Sequence, residues 1–380
     1  MRRILQFVIL SGIFAALACA GVSCSDYLDR VDDEEQTDQG DGSGEDNTPG
    51  EGDGSGEGNT PGEGDGSGEG NTPGEGDGSG EDNTPGEGDG SGEGNTPGEG
   101  TASGVKGWYE LPYINDADGN GIDDDNPNLV YASHSFQMGG RKYRNYTVCF
   151  STEHHCPVWV AAPRHACYSV KNVKRKDAYK ADPVIEKLAP GMQYLSEEIG
   201  SECNKGHMLG SAERLCSSEA NRQVFHYSNI APQLSSGFNT GGGGWNLLED
   251  YMDEQVPADT LYEVIGCYFD TYVDGYGKKA EKKKLSKYCG RSDVSFPTMF
   301  YYAVLRTKNG NTHKALKDCT SDELRCVAFV RAHSNSLKGQ DPSSRELMSI
   351  SDLERLTGIT YFPNVPQAPK DSFTPSDWGL

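Results

Sequence analysis

Three stretches of the chain run or alternate apolar in the manner of buried strands: Tyr146–Phe150, Pro157–Ala162 and Met299–Leu305. Gln223–Asn229 predicts a further short strand ahead of a Pro-containing turn, and the residues from Trp245 onward open an amphipathic helix. Two regions follow other patterns. Ile4 to Ala18 is apolar apart from Gln6, Ser11 and Gly12 and follows Arg2 and Arg3, the charged and apolar segments of an export signal. At roughly 20 apolar residues for a membrane span, this run is too short and too interrupted to cross a bilayer. From Gly40 to Glu99 the unit GDGSGE(D/G)NTPGE recurs five times, with no apolar side chain for neighbouring repeats to bury.

Composition sharpens that division. The formal net charge is -24, but residues 25–100 hold 24 Asp/Glu against Arg30 alone, and residues 101–380 hold 34 Asp/Glu against 31 Lys/Arg. The chain therefore reads as a signal over 1–24, an acidic tether over 25–104 and a near-neutral globular domain over 105–380. Gly, Ser, Pro and like charges keep the tether extended and solvated. These numbers exclude a basic nucleic-acid coat protein, a multi-pass membrane protein and a wholly disordered chain.

Cys19 and Cys24 both follow small residues, and either resembles a bacterial lipobox. Cys24 is the preferred lipidation site because it leaves the longer apolar segment and precedes Ser25-Asp26 and Asp32-Asp33-Glu34-Glu35. Such an acidic stretch resembles the surface-export signal of some Gram-negative lipoproteins. The expected location is the outer membrane, facing outward, on a lipid anchor; the alternative is cleavage without lipid, leaving a secreted or periplasmic protein.

Candidate chemistry concentrates between Cys203 and Glu249. His207 follows Lys205-Gly206, which places an imidazole beside a fixed positive charge and suits a neutral general base acting on an anionic substrate. Asn229, Gln233 and Asn239 offer uncharged oxygens that suit a hard cation keeping most of its waters. A lone His is more often structural, but here a His, a Lys, three amides and Glu249 fall within 45 residues. Elsewhere, Asp116, Asp118, Asn120 and Gly121 match the first half of an EF-hand loop, while Pro127 stands where its closing Glu belongs. Asp116–Asp125 thus reads as an acidic surface turn, with a looser Ca²⁺ loop as the alternative. Lys282-Lys283-Lys284 reads as a solvated turn, with contact to a nucleic acid as the alternative.

The motif string itself resembles the DNA/RNA non-specific endonuclease family, whose pattern is Asp-Arg-Gly-His, then Ser-Asn-(Ile/Val)-x-Pro-Gln, then Asn, Trp and Leu-Glu. This chain carries Asn204-Lys205-Gly206-His207, Ser228-Asn229-Ile230-Ala231-Pro232-Gln233, Asn239, Trp245 and Leu248-Glu249. Arg144-Asn145-Tyr146-Thr147, Phe296-Pro297-Thr298 and Glu354 through Pro363 resemble the family's flanking strands, closing helix and closing strand, so the likeness spans roughly 130–365. It implies an α+β fold, with a central, mainly antiparallel sheet flanked by helices and a ββα-metal finger. It also implies Mg²⁺, with Mn²⁺ as a substitute, and cleavage of DNA and RNA to 5′-phosphate products. By the same resemblance, His207 deprotonates the attacking water, Asn239 is the one direct protein ligand of the metal, and Glu249 holds the metal's waters. Lys205 and Arg144 contact the phosphate, and Asn229 orients the His207 region.

The chain departs from the pattern at Asn204-Lys205, where Lys lacks the two-pronged grip of Arg. It departs again at Gly241–Gly244, which lengthen the Asn-to-Glu interval to ten and place Asn239 in a loop before the helix. The alternative reading is a catalytically impaired surface lipoprotein that binds nucleic acid or another polyanion. Nine cysteines follow residue 100, and in an exported protein Cys156–Cys167, Cys203–Cys216 and Cys319–Cys326 are the close pairs expected to bridge. The spacing of His154-His155-Cys156 with His165 and Cys167 fits no familiar zinc frame.

Overall fold

The three apolar runs become strands of one antiparallel sheet. A computed structural model describes residues 107–193, 202–285 and 293–380; the signal, Cys24, the tether and Cys289 lie outside the described residues. In chain order the strands of the main sheet begin with β1 (Leu129–Met138), β2 (Arg141–Ser151) and β3 (Cys156–Arg164). Two strands then form a separate pair, β4 (Cys203–His207) with β5 (Ile230–Leu234). The main sheet resumes with β6 (Leu261–Tyr268). Two short ribbons follow, β7 (Tyr272–Val273) with β8 (Lys279–Ala280) and β9 (Lys283–Leu285) with β10 (Val294–Phe296). Then come β11 (Met299–Thr307), β12 (Leu324–Ala332) and β13 (Leu347–Met348). The seven-stranded order is β1-β2-β3-β6-β11-β12-β13, antiparallel throughout.

Both faces of this sheet are covered, which explains why β11 reads as an unbroken apolar run instead of an alternation. One face carries Tyr146, Val148, Val160, Ile265, Phe300 and Phe329 under Met208, Leu209, Trp245 and Leu248. The other carries Cys149, Trp159, Val264, Tyr301 and Val330 under Ile350, Leu353 and Tyr361. The helices are short: α1 (Pro183–Leu188), α2 (Ser218–Gln223), α3 (Gly244–Gln255) and α4 (Ile350–Thr357). Asp182, Ser217 and Ser349 cap α1, α2 and α4 by accepting backbone N–H groups, and Gly358 ends α4 in the left-handed conformation at φ 74°. The result is the α+β architecture implied by the family resemblance. Among the described residues no helix is long and apolar enough to cross a membrane.

Three expectations are corrected. The strand placed at Gln223–Asn229 is instead the end of α2 followed by a tight turn at Tyr227–Asn229, and the strand proper starts at Ile230. Ser217 starts the helix, and the Asn229 amide donates to Val224 O at 2.7 Å, closing a turn that an extended chain could not make. No closing strand forms after α4: beyond Gly358, Tyr361 N–H turns back to the Glu354 carboxylate at 2.9 Å. Finally, Cys156, Cys203, Cys216, Cys319 and Cys326 form no disulfide, while Cys167 is disulfide-bonded. Cys156 and Cys203 pack in the core of the first sheet face, whereas Cys167 and Cys216 pack in a separate cluster with Phe136 and Tyr168. Short sequence spacing therefore did not bring the first two pairs together.

Candidate active site

The site is built on β4, β5 and α3, a ββα unit laid on the first face of the sheet. β4 and β5 pair with Asn204 opposite Gln233, Lys205 opposite Pro232, Gly206 opposite Ala231 and His207 opposite Ile230. Side chains alternate along a strand, so Lys205 and His207 share one side while Asn204 and Gly206 share the other. Glycine is required at 206 because a methyl group there would fall inside the Gln233 side chain.

On the Asn204 side, Asn204, Asn239 and Gln233 form a chain of amides, and Asn229 is not part of it. Asn204 Nδ2 donates to Asn239 Oδ1 at 2.9 Å, and Asn239 Nδ2 donates to Gln233 Oε1. Asn239 is half-buried and closes a π-helical turn, Ser235–Asn239, five residues before α3 begins at Gly244. Its Oδ1 is a hard, neutral oxygen of the kind that holds a divalent cation. Gln233 Nε2 is buried and has no hydrogen-bond partner.

On the other side, His207 packs edge-on against Phe225 at 4.8 Å between ring centroids and lies 5.7 Å from Tyr179. Its Nε2 is buried and unpartnered. Burial, and then the positive charge of Arg175, lowers the imidazole to about 3, so the ring is neutral at physiological pH. Lys205 Nζ sits 4.6 Å over the Tyr179 ring and 6.0 Å from that of Tyr227. Asn229 clamps the chain just beyond His207: Leu209 N–H donates to Oδ1 at 3.0 Å, Nδ2 donates to Leu209 O at 3.0 Å, and Met208 N–H donates to Asn229 O at 2.9 Å.

Glu249 lies on α3, in the second turn. Its carboxyl is raised to about 8 by burial, then by Glu213 and Asp253. Arg164, fully buried, sits among these acids, 3.1 Å from Glu213 and 3.2 Å from Glu263, and is also paired with Asp253.

Arg144 requires a correction. It was expected at the phosphate, but the structure buries it completely and engages each guanidinium nitrogen: Nε with Glu110, Nη1 with Thr147 Oγ1 at 3.0 Å and Nη2 with Ala161 O at 3.2 Å. Trp108 stacks on it at 3.7 Å. The cause is a bulge in β2: Tyr146 pairs with His134 and Arg144 with Ser135, so Asn145 is extra. The added residue reverses the alternation and swings Arg144 to the side of Thr147. Asn145 takes the near side and bonds Gln223 at 2.7 Å and Arg214 at 2.9 Å.

The cation beside His207 is Arg175, which sequence reading missed. Its guanidinium lies 5.2 Å from the Phe225 ring that also packs His207, and Asp177 holds its Nε at 2.8 Å. Neighbouring Lys174 and Lys176, with Val173, Ser218, Asn221 and Arg222, line a cavity of about 310 Å³. The signal was the density of positive charge at Lys171, Lys174, Arg175, Lys176 and Lys180 upstream of the Gly-His motif. The lysines of 282–284 have local partners instead: Asp270 for Lys282, the Phe296 ring for Lys283 and Glu153 O for Lys284.

The acidic loop at Asp116–Asp125 brings the Asp116, Asp118 and Asp124 carboxylates within 4.8 Å of one another and uses several of them on its own backbone. Asp116 accepts Asn120 and Gly121 N–H at 3.0 and 2.9 Å, and Asp124 accepts Ala117 N–H at 3.0 Å. His154, His155 and His165 bond separately to Ser295, Met192 O and Ala258 O.

Comparison with known proteins bears on this arrangement. The sequence model of the family described as DNA/RNA non-specific endonuclease matches residues 127–368. The mitochondrial nuclease EXOG of Danio rerio is 29% identical over 226 residues, 59% of this chain and 60% of that protein. Human mitochondrial endonuclease G is 26% identical over 167 residues, covering 44% and 50% of the two chains. Nuclease C1 of Cunninghamella echinulata var. echinulata is 23% identical over 185 residues, covering 48% and 66%. The chain spans about three fifths of the length of the first curated relatives it matches. A crystal structure of an EndoG/EndoGI complex aligns with a TM-score of 0.48 at 22% identity, covering 62% of this chain and 89% of that one.

Proposed function

The chain belongs to the DNA/RNA non-specific endonuclease family, and from that premise we propose that it hydrolyses phosphodiester bonds of DNA and RNA with the help of Mg²⁺, leaving 5′-phosphate ends. One observation carries the reading: a buried, unpartnered imidazole nitrogen held neutral on His207, beside the cations of Arg175 and Lys205. A base that must take a proton from water at neutral pH has to be uncharged there, and its substrate has to be held by positive charge.

The roles follow from the chain's own groups. His207 Nε2 receives the proton of the attacking water. Phe225 and Tyr179 fix the ring, and Asn229 fixes the backbone behind it. Lys205, held over two tyrosines, and Arg175 bind the phosphate and oppose its growing charge. The groove of Lys174, Lys176 and Arg222 takes flanking phosphates, so recognition goes to backbone instead of base edges. Asn239 Oδ1 has one hydrogen bond and is neutral, which fits a hard cation that keeps most of its water shell. Mg²⁺, or Mn²⁺ in its place, would be held there and would supply Lewis-acid charge to phosphate oxygens. Glu249, on α3, would hold the metal's waters. For location, the charged and apolar N-terminus, Cys24 and the acidic repeats support export and a lipid-anchored position on the outer surface of the cell.

The test is cleavage of supercoiled plasmid and of RNA by the purified chain with Mg²⁺, with EDTA, and as His207→Ala. Metal-dependent cleavage that the alanine variant loses supports the proposal. A folded chain that leaves both polymers intact with several divalent metals overturns it. A gel shift on the same samples then separates a nucleic-acid-binding protein from one that ignores both polymers.

A further inference from the structure

A second group of metal-ligating side chains lies apart from Asn239 and is used by none of the steps above. His134 on β1, Asp182 at the cap of α1 and His226 before the Tyr227–Asn229 turn come from three distant stretches and are all buried. One ligand atom from each lies within 4.8 Å of the others. His134 Nε2 is 2.8 Å from Asp182 Oδ2, and His226 Nδ1 is 3.8 Å from the same oxygen.

That second distance is the informative one. It is too long for a hydrogen bond, and His226 Nδ1 is buried with no partner. Yet the residues around it are tightly built. Asp182 accepts Ser228 Oγ–H at 2.6 Å and Val184 N–H at 3.0 Å, while its own N–H and C=O are clamped by Gln193 at 2.8 and 3.0 Å. The His134 ring packs on Tyr146 at 4.6 Å and on His226 at 5.1 Å. A frame this well satisfied has no evident reason to strand one nitrogen. Tetrahedral Zn²⁺ binds imidazole nitrogen and carboxylate oxygen at about 2.0–2.2 Å, which sets ligand atoms about 3.3–3.5 Å apart. The observed 2.8 and 3.8 Å to the Asp182 oxygen bracket that spacing, and all three ligand atoms lie within 4.8 Å of one another.

We propose that His134, Asp182 and His226 form a second, structural metal site that takes a Zn²⁺-like transition-metal ion, with water or the Ser228 hydroxyl as fourth ligand. Two imidazoles and one carboxylate select such an ion over Mg²⁺, which prefers an all-oxygen octahedron. The ion ties β1 and α1 to the turn carrying Tyr227 and Asn229, and so braces the backing of His207 without touching substrate.

The experiment uses the full chain, stripped with chelator and dialysed against Zn²⁺, with bound metal counted by elemental analysis and with Co²⁺ substituted for its visible absorption. One equivalent of zinc per chain is expected, with the intense visible bands of four-coordinate Co²⁺ and a melting midpoint that Zn²⁺ raises in the wild-type chain but not in His226→Gln. His226→Gln should lose the equivalent and the bands; Asp118→Asn, in the acidic loop, should keep both. A folded wild-type chain that retains no zinc and shows no such cobalt spectrum overturns the proposal, as does uptake that survives in His226→Gln. Because the readouts are metal content and spectrum, they stand whether or not the chain cleaves nucleic acid.

Discussion

Replacing Asn229 by alanine tests the link between the buried frame and the base most directly. The side chain makes three hydrogen bonds: it accepts Leu209 N–H at 3.0 Å and donates to Leu209 O at 3.0 Å and Val224 O at 2.7 Å. All lie in a fully buried setting. At about 1 kcal/mol net for each bond, with a further penalty for stranding buried backbone groups, Asn229→Ala should lose about 3–5 kcal/mol of stability. Asn229→Asp keeps the acceptor for Leu209 N–H but puts one oxygen where Nδ2 faced two carbonyls, so its loss should be as large. Leu209 is two residues from His207, and a shift of about 1 Å in a catalytic group can lower the rate about a hundredfold. Stability is read from urea unfolding by tryptophan fluorescence, and cleavage at a temperature where circular dichroism shows the variant folded. If Asn229→Ala loses under about 1 kcal/mol, the clamp is not as drawn. If stability falls while cleavage per folded molecule is unchanged, Asn229 does not position His207.

His207, neutral down to about 3, should let kcat/KM persist at pH 5, and Arg175→Gln should move the acid limb upward; a wild-type limb near 6.5 would refute the assignment. Arg144→Met should cost about 3–5 kcal/mol by stranding the buried Glu110 carboxylate, with little change in cleavage per folded molecule, whereas Arg175→Ala should lose cleavage and little stability. The opposite pattern in unfolding and plasmid assays would restore Arg144 to the site. Glu213 and Glu249 are each raised from 4.5 to about 8, chiefly by burial, so the unfolded chain releases these protons first as pH rises. Their contribution is therefore full below about 4.5 and lost as pH climbs through about 8. Without divalent cations, the urea midpoint should fall from pH 5 to pH 8.5, and Glu213→Gln with Glu249→Gln should flatten the fall; a wild-type midpoint that rises over this range would contradict the burial of these acids.

Much of the fold was legible because burial leaves a mark on sequence. β2, β3 and β11 sit between two apolar layers, and their runs of Val, Ala, Tyr and Leu could not belong to a solvent-facing strand. The finger was legible for another reason: Gly206, Pro232 and Trp245 have narrow structural uses, and they stand with His207 and Asn229 in the order of the family pattern. What escaped depends on single-residue geometry. One extra residue at Asn145 reverses the side to which Arg144 points, and no pattern of polarity around Arg144-Asn145-Tyr146 announces it. Arg175 was hidden by its neighbours, since in a run of lysines nothing distinguishes the one cation whose position against Phe225 places it by the base. Gln223–Asn229 was misread because its fate was decided by a cap at Ser217 and by the Asn229 side chain, both of which act through hydrogen bonds instead of hydrophobicity.

The two departures from the family pattern become intelligible together. An Asp at position 204 would have no N–H to offer Asn239, whereas Asn204 donates to Asn239 Oδ1 and so starts the amide chain that continues to Gln233. That chain holds Asn239 from the β4–β5 side, and Asn239 no longer needs a place on the helix to be oriented. The glycines then have room to act as a turn. Gly242 takes φ 77°, its carbonyl accepts Gly339 N–H at 2.8 Å, and Gly244 O accepts the buried guanidinium of Arg331. A side chain at Gly243 would collide with the Phe238 carbonyl, so the close turn demands glycine there. The longer interval between Asn239 and Glu249 is thus absorbed in a loop fastened at both ends. Asn239 is fixed by amides on the strands and Glu249 by α3, so the separation of the two residues in sequence does not by itself disable the site.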